Sequence, residues 1–320
     1  MLPLIFACLF AQPVDVKPLR ETASEPHQTD DPAIWVHPTK PAESLIFGTV
    51  KMAAPDGAIA VYKLDGTRLM RIDGVDRPNN IDIAYGVPVG KRVIDIAVVT
   101  ERNKKRLRFF EVVPGVGLKD LAAAPVFAGE IGQAAQPMGI AMYKRKRDGA
   151  VFAIVSRKSG PSGRYLWQYR LHPDLHLEKV REFGLYSGSK EIEAIAVDAE
   201  REQLYYSDEG AGIRKYHADP AHPYAAKELA LFGQNGWKGD REGLALYGKY
   251  VIATDQQPGN SVFHVFDRDS LREVGTFRVG ADTTDGIDIS RNGLFVAMND
   301  NRHNFILVDW KSIATALGLR

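Results

Sequence analysis

The chain has 320 residues, 45% of them hydrophobic and 25% charged, with a formal net charge of +1. This is the balance of an ordinary water-soluble globule, and it gives no footing for a nucleic-acid or membrane surface as partner. The densest basic run, Lys144-Arg145-Lys146-Arg147, precedes Asp148-Gly149 and reads as a solvated hairpin turn.

Residues 1–11 are apolar but too short to cross a bilayer, which needs ~20 residues. They resemble the apolar region of a secretory signal without its basic lead-in. The expectation is a leader over 1–11, a single domain over 12–320 and a secreted or periplasmic protein. A lipid anchor on Cys8 and an uncleaved N-terminus of a cytosolic protein are the alternatives. Cys8 is the only cysteine, so a mature chain beginning at residue 12 has neither thiol nor disulfide.

From residue 30 onward one phrase recurs at spacings of roughly 45 to 60 residues. Its copies are Asp30-Asp31-Pro32-Ala33-Ile34-Trp35, Asn79-Asn80-Ile81-Asp82-Ile83, Met138-Gly139-Ile140-Ala141-Met142, Glu191-Ile192-Glu193-Ala194-Ile195, Asp240-Arg241-Glu242-Gly243-Leu244 and Asp285-Gly286-Ile287-Asp288-Ile289. Each is an apolar strand core, all but the Met138 copy carry acidic or amide residues at the start, and each is followed by further short strand-like runs. In the first repeat these are 45–50, 58–64 and 67–72, the last pair joined through Asp65-Gly66, a favoured hairpin turn. Later repeats supply 93–99 with 107–112, 151–155 with 165–169, 203–206 with 212–216, 250–254 with 262–266, and 294–298 with 304–308. Residues 14–17 are expected to add a strand to the last repeat and so remove the exposed edges. Near the end, Asp309 and Gly318 bracket the one helical pattern. The reading is an all-β protein: a six-bladed β-propeller of four-stranded antiparallel blades with a short C-terminal helix.

In a propeller the same strand of every blade lines the central channel, so five of the six phrases aim carboxylates or carboxamides at one mouth. Crowded carboxylates repel one another and take up protons at neutral pH unless a cation holds them ionised. All-oxygen donors from several blades suit calcium, a hard ion with six to eight ligands, whereas no zinc set of His and Cys stands out.

The phrases beginning at Asp30 and Asn79 resemble the two signature motifs of the β-propeller phytases, calcium-dependent enzymes that remove phosphates from myo-inositol hexakisphosphate (phytate). The resemblance continues through Ile192-Glu193-Ala194, Asp240-Arg241-Glu242-Gly243, Thr284-Asp285-Gly286-Ile287-Asp288 and Gly293-Leu294-Phe295, and so spans nearly the whole chain after the leader. It implies several calcium ions held by Asp30, Glu193, Glu209, Asp240, Glu242 and Asp285, with Asp31, Asp282 and Asp288 as lower-ranked neighbours. It implies catalytic roles for Asp30, Glu193, Glu209 and Glu242, and a phosphate grip by Lys51, Arg102 and Lys158. Water would be the nucleophile, with no phosphoenzyme, and the protein would be a monomer acting on a small molecule, with phytate arriving as its calcium complex. Two positions depart from the family pattern: Met138 stands where a phosphate-contacting tyrosine is usual, and Ser159 where an acidic residue is usual. A lactonase-like calcium hydrolase and a non-catalytic calcium-stabilised propeller are the alternative readings.

Overall fold

The computed structural model describes residues 12–319; the expected leader and Cys8 lie outside them. Six sheets follow one another along the chain, antiparallel except for one added strand. The first blade is β3 (Thr29–Trp35), β4 (Leu45–Val50), β5 (Ala58–Lys63) and β6 (Arg68–Asp73). The second is β7 (Pro78–Val89), β8 (Arg92–Glu101), β9 (Arg106–Val113) and β10 (Gly117–Pro125), and the third is β11 (Pro137–Lys144), β12 (Val151–Arg157), β13 (Leu166–Leu171) and β14 (Leu177–Phe183). The fourth comprises β15 (Ile195–Asp198), β16 (Gln203–Asp208), β17 (Gly212–His217) and β18 (Ala230–Phe232), and the fifth β19 (Asp240–Tyr247), β20 (Tyr250–Gln256), β21 (Val262–Asp267) and β22 (Glu273–Arg278). The sixth contributes β23 (Ile287–Ile289), β24 (Leu294–Asn299) and β25 (Asn304–Asp309).

Closure differs from expectation. The two residues Arg20–Glu21 (β2) complete the sixth blade, pairing antiparallel with β25 through Arg20↔Leu307 and Glu21↔Ile306. Residues Val14–Asp15 (β1) instead run parallel to β22 and make the fifth blade five-stranded. Pro18 lies between the two pieces; it lacks an N–H and cannot carry one ladder through both. Val16 is buried in the layer between blades five and six, while Glu21 takes Arg302 and the Asn304 amide at 3.0 and 2.9 Å. The outer strand of the last blade thus comes from the start of the chain.

Apolar side chains gather in six layers, one at each junction of neighbouring blades. Trp35, Phe47 and Phe110 fill the first-to-second junction. Phe109, Phe127 and Trp167 fill the next, and Phe263, Phe277 and Phe295 that between five and six. Each fully buried large side chain contributes about 1.5–3 kcal/mol, so the ring is held by blade-to-blade packing rather than by a single central core. The C-terminal helix, α1 (Trp310–Leu317), starts at Asp309, whose carboxylate accepts from Lys311 N at 3.0 Å, and stops at Gly318 with φ 64°. The Lys144–Arg147 run is indeed the β11–β12 turn, with Arg145 and Arg147 both paired to Asp219 of the neighbouring blade.

Candidate metal centre and phosphate rim

Innermost strands of four blades bulge where they meet the mouth. The register slips between Thr29 and Pro32, Pro78 and Ile81, Pro137 and Ile140, and Arg241 and Leu244. A bulge turns a side chain out of strict alternation, and these four carry Asp30, Asn79, Met138 and Glu242. Glycine lets adjacent blades come close there. A Cβ on Gly139 would stand 1.6 Å from the carbonyl oxygen of Glu193, and one on Gly286 would stand 2.6 Å from the Cα of Asp31.

Hydroxyls on the second strands stitch these bulges together. Thr49 Oγ1 accepts from Asp31 N at 3.0 Å and donates to Asn79 O of the next blade at 2.7 Å. Thr100 Oγ1 repeats this with Asn80 N and Met138 O, at 3.0 and 2.7 Å. Ser156 Oγ accepts from Gly139 N at 2.9 Å and Ser207 Oγ donates to Arg241 O at 2.7 Å. Two residues beyond each hydroxyl stands a rim side chain: Lys51, Arg102, Lys158 and Glu209. This Thr/Ser-x-rim spacing is visible in the chain and is a signal for the rim positions.

Glu193, Glu209 and Glu242 each offer a carboxylate oxygen, all within 4.8 Å of one another. Burial and then Glu193 push Glu209 up to about 7. Burial, followed by Glu209 and Glu193, holds Glu242 well above the ordinary carboxylate range. Glu193 goes the other way: burial would raise it, but the Lys51 ammonium beside it holds it below its usual value. Lys51 Nζ bridges Asp30 Oδ1 at 2.8 Å and Glu193 Oε1 at 2.9 Å. Asp30 is nonetheless raised, by burial first and, against Lys51, by Glu193 and Asp285. Its other oxygen, Oδ2, is buried with no hydrogen-bond partner. An all-oxygen set that draws a lysine into its midst and leaves a carboxylate oxygen orphaned fits a hard cation.

Asp285 sits against Asp30 and takes a hydrogen bond from the Gln256 amide, a partner that sequence reasoning missed. Asp240 pairs with Lys190 and is not part of the three-glutamate cluster. Its segment is held by Asp255, which accepts from Lys238 N at 3.1 Å and Gly239 N at 2.7 Å. The lower-ranked aspartates serve the backbone. Asp31 accepts from Ile81 N at 3.0 Å, and Asp288 from Ile34 N at 2.7 Å, each reaching the next blade around the channel. Asp82 does the same for Met142 N at 2.6 Å. Asp282 accepts from Gly259 N and the Thr283 hydroxyl on the connection between β22 and β23.

Cations line the same mouth beside these carboxylates. Arg102 Nη1 donates to Asn79 Oδ1 at 3.3 Å, and the Asn79 amide in turn donates to Glu193. Lys158 pairs with Glu191, and burial and then Arg102 hold it below the ordinary lysine range. Glu101, adjacent to Arg102 in sequence, pairs instead with Arg106. Met138 is 1% exposed and brings no hydroxyl to the rim. Blades one to three therefore present Lys51, Arg102 and Lys158, while blades four to six present Glu209, Glu242 and Asp285.

A six-bladed ring whose mouth sets a cluster of buried carboxylates directly beside a row of cations has the make-up of a propeller hydrolase for a strongly anionic small molecule. Comparison with known proteins agrees. The family model described as Phytase matches residues 12–319. A 3-phytase of Bacillus subtilis (strain 168) is 30% identical over 330 residues, covering 92% of this chain and 83% of that protein. The chain belongs to the phytase family and is a phosphoric monoester hydrolase.

Proposed function

We propose that this protein releases inorganic phosphate from phytate in a calcium-dependent reaction at the propeller mouth. The observation that carries this reading is the meeting of Glu193, Glu209 and Glu242 within 4.8 Å, directly beside the Lys51 ammonium. Asp30, Glu193, Glu209, Glu242 and Asp285 would hold the calcium ions, and Asp240 would close the set on leaving Lys190. Calcium there supplies charge neutralisation at phosphate oxygens and a lowered pKa for water.

The chain's own side chains do the rest. Arg102 offers a planar fork that matches two phosphate oxygens, and Lys51 and Lys158 act as point charges. Asn79 holds Arg102 and Glu193 in mutual register, so the gripping and the ligating arcs keep a fixed spacing. Binding calcium requires Glu209 and Glu242 to be ionised, and both are held above the ordinary carboxylate range. Activity is therefore favoured by neutral to mildly alkaline conditions. Residues 1–11 would act as an export leader and the mature protein as a monomer; among the described residues no helix is long and apolar enough to cross a membrane.

The test is phosphate release from phytate in EDTA and after calcium is returned. Release that stops with the chelator and resumes with calcium supports the proposal; release that is absent at every calcium level refutes it.

A further inference from the structure

One more cation stands at this rim, and among the described residues its side chain has no partner. Arg77 is half-buried, and its guanidinium makes no hydrogen bond, ion pair or ring contact among the described residues. Every other cation in the crescent has a partner: Lys51 has Asp30 and Glu193, Arg102 has Asn79, Lys158 has Glu191, and Lys190 has Asp240.

The backbone of Arg77 is held in a conformation it would not choose. Its φ is 58°, in the left-handed region, although it is not glycine and precedes Pro78, a neighbour that favours extended geometry. Five hydrogen bonds impose this. Val75 N donates to Gly57 O at 3.0 Å, Asp76 N to Glu101 Oε1 at 2.8 Å and Arg77 N to Met52 O at 2.8 Å. Arg102 N donates to Arg77 O at 3.1 Å and Asn103 N to Asp76 O at 3.3 Å. Arg77 is thus tied on one side to the residue after Lys51 and on the other to Arg102 itself. An uncommon φ at a non-glycine residue persists only where surrounding bonds over-determine it, and such places cluster at binding sites.

The two guanidiniums also repel. Arg102 is held below the ordinary arginine range by burial and, next, by the charge of Arg77. Two neighbouring arginines without a carboxylate between them make a seat for an anion.

Building on the phytate reading above, we propose that Arg77 binds a phosphate group of the substrate and shares it with Arg102. The cationic arc then runs Lys51, Arg77, Arg102, Lys158, one member lying on the loop between blades one and two.

The strained φ supplies a clean variant. Glycine adopts φ 58° without penalty, so Arg77→Gly removes the guanidinium while suiting the backbone. Arg77→Lys keeps a positive charge at the same place. Steady-state hydrolysis of phytate with calcium should show KM raised roughly tenfold or more for Arg77→Gly, with kcat within about twofold. Arg77→Lys should recover most of that loss, and the unfolding midpoint of Arg77→Gly should equal or exceed wild type. Calorimetric binding of phytate in EDTA, where turnover does not intervene, should weaken in the same order. An unchanged KM and Kd for Arg77→Gly overturns the assignment, as does an equal rise for both variants or a loss that tracks a lower melting point. If the wild type binds phytate but releases no phosphate, the hydrolytic reading fails while the Kd ratio still decides Arg77. No phytate binding by the wild type would remove both.

Discussion

Replacing Lys51 by methionine keeps most of the stem and deletes the charge that stands between Asp30 and Glu193. The ammonium is 2.8 and 2.9 Å from the two carboxylates, and the three side chains are only 14%, 1% and 13% exposed. Burial raises Asp30, while Lys51 holds Glu193 low, so the Glu193 carboxylate is the charge that depends most on the lysine. Without Lys51 the buried Glu193 carboxylate keeps only the more distant Arg102 charge and the Asn79 amide, so a proton on Glu193 is favoured over an ion left without its nearest cation. Its ordinary value is 4.5, so neutralising it at pH 7 costs about 3 kcal/mol, at about 1.4 kcal/mol per pH unit, and at pH 5 under about 1 kcal/mol. The larger figure agrees with the roughly 3–5 kcal/mol lost when one partner of a buried pair is removed. As for sign, in the wild type Glu193 is lowered and stays ionised in folded and unfolded chains across this range, so it adds no pH dependence. In the variant its folded value is raised, the folded state binds more protons, and stability declines as pH climbs above the unfolded value. Urea unfolding in EDTA, followed by tryptophan fluorescence, should therefore show a deficit that grows from pH 5 to pH 7, and calcium should narrow it. A deficit of equal size at both pH values, or a smaller one at pH 7, would refute the reasoning.

Three further outcomes are expected. Glu242→Gln removes a buried carboxylate that Glu209 and Glu193 repel, so phosphate release should fall by roughly two orders of magnitude or more while the EDTA melting point holds or rises; a fall in both would mark the residue as structural. Gly139→Ala places a methyl 1.6 Å from Glu193 O, which must move; calcium affinity measured by titration should weaken, with a stability loss of about 1–3 kcal/mol, and an unperturbed titration would count against the close approach. Glu209 and Asp82, both pushed up to about 7, and Asp288, pushed up to about 6, are raised by burial. The folded chain in EDTA then holds extra protons and should lose stability as pH rises from 5 to 8, whereas the stabilisation added by calcium should grow over the same interval; a calcium effect that shrinks with pH would contradict this.

Much of this protein was legible along the chain. The recurrence from Asp30 to Ile289 announced six blades, because each blade must repeat one alternation of apolar and polar residues to pack against its neighbours. Asp309 and Gly318 announced the helix, since capping is decided by residues a few positions apart. The acidic starts of the phrases announced a mouth that wants a cation. Closure by Arg20–Glu21 instead of residues 14–17 was not legible, because two short strands split by Pro18 fit either of two open edges equally well in one dimension.

The candidate site residues divide in the same way. Glu193 and Glu242 could be nominated from their own phrases and Glu209 from the family resemblance, but only the ring decides that these three converge while Asp240, two positions from Glu242, turns to Lys190. Asp31 and Asp288 carry the same chemistry as Asp30 and Asp285 yet are used up by backbone N–H groups of the next blade. Alternation along a strand says which face a residue takes; it cannot say what faces it from another blade. Lys51 meets Glu193 across 142 positions of sequence, and only the closing of the circle brings such partners together.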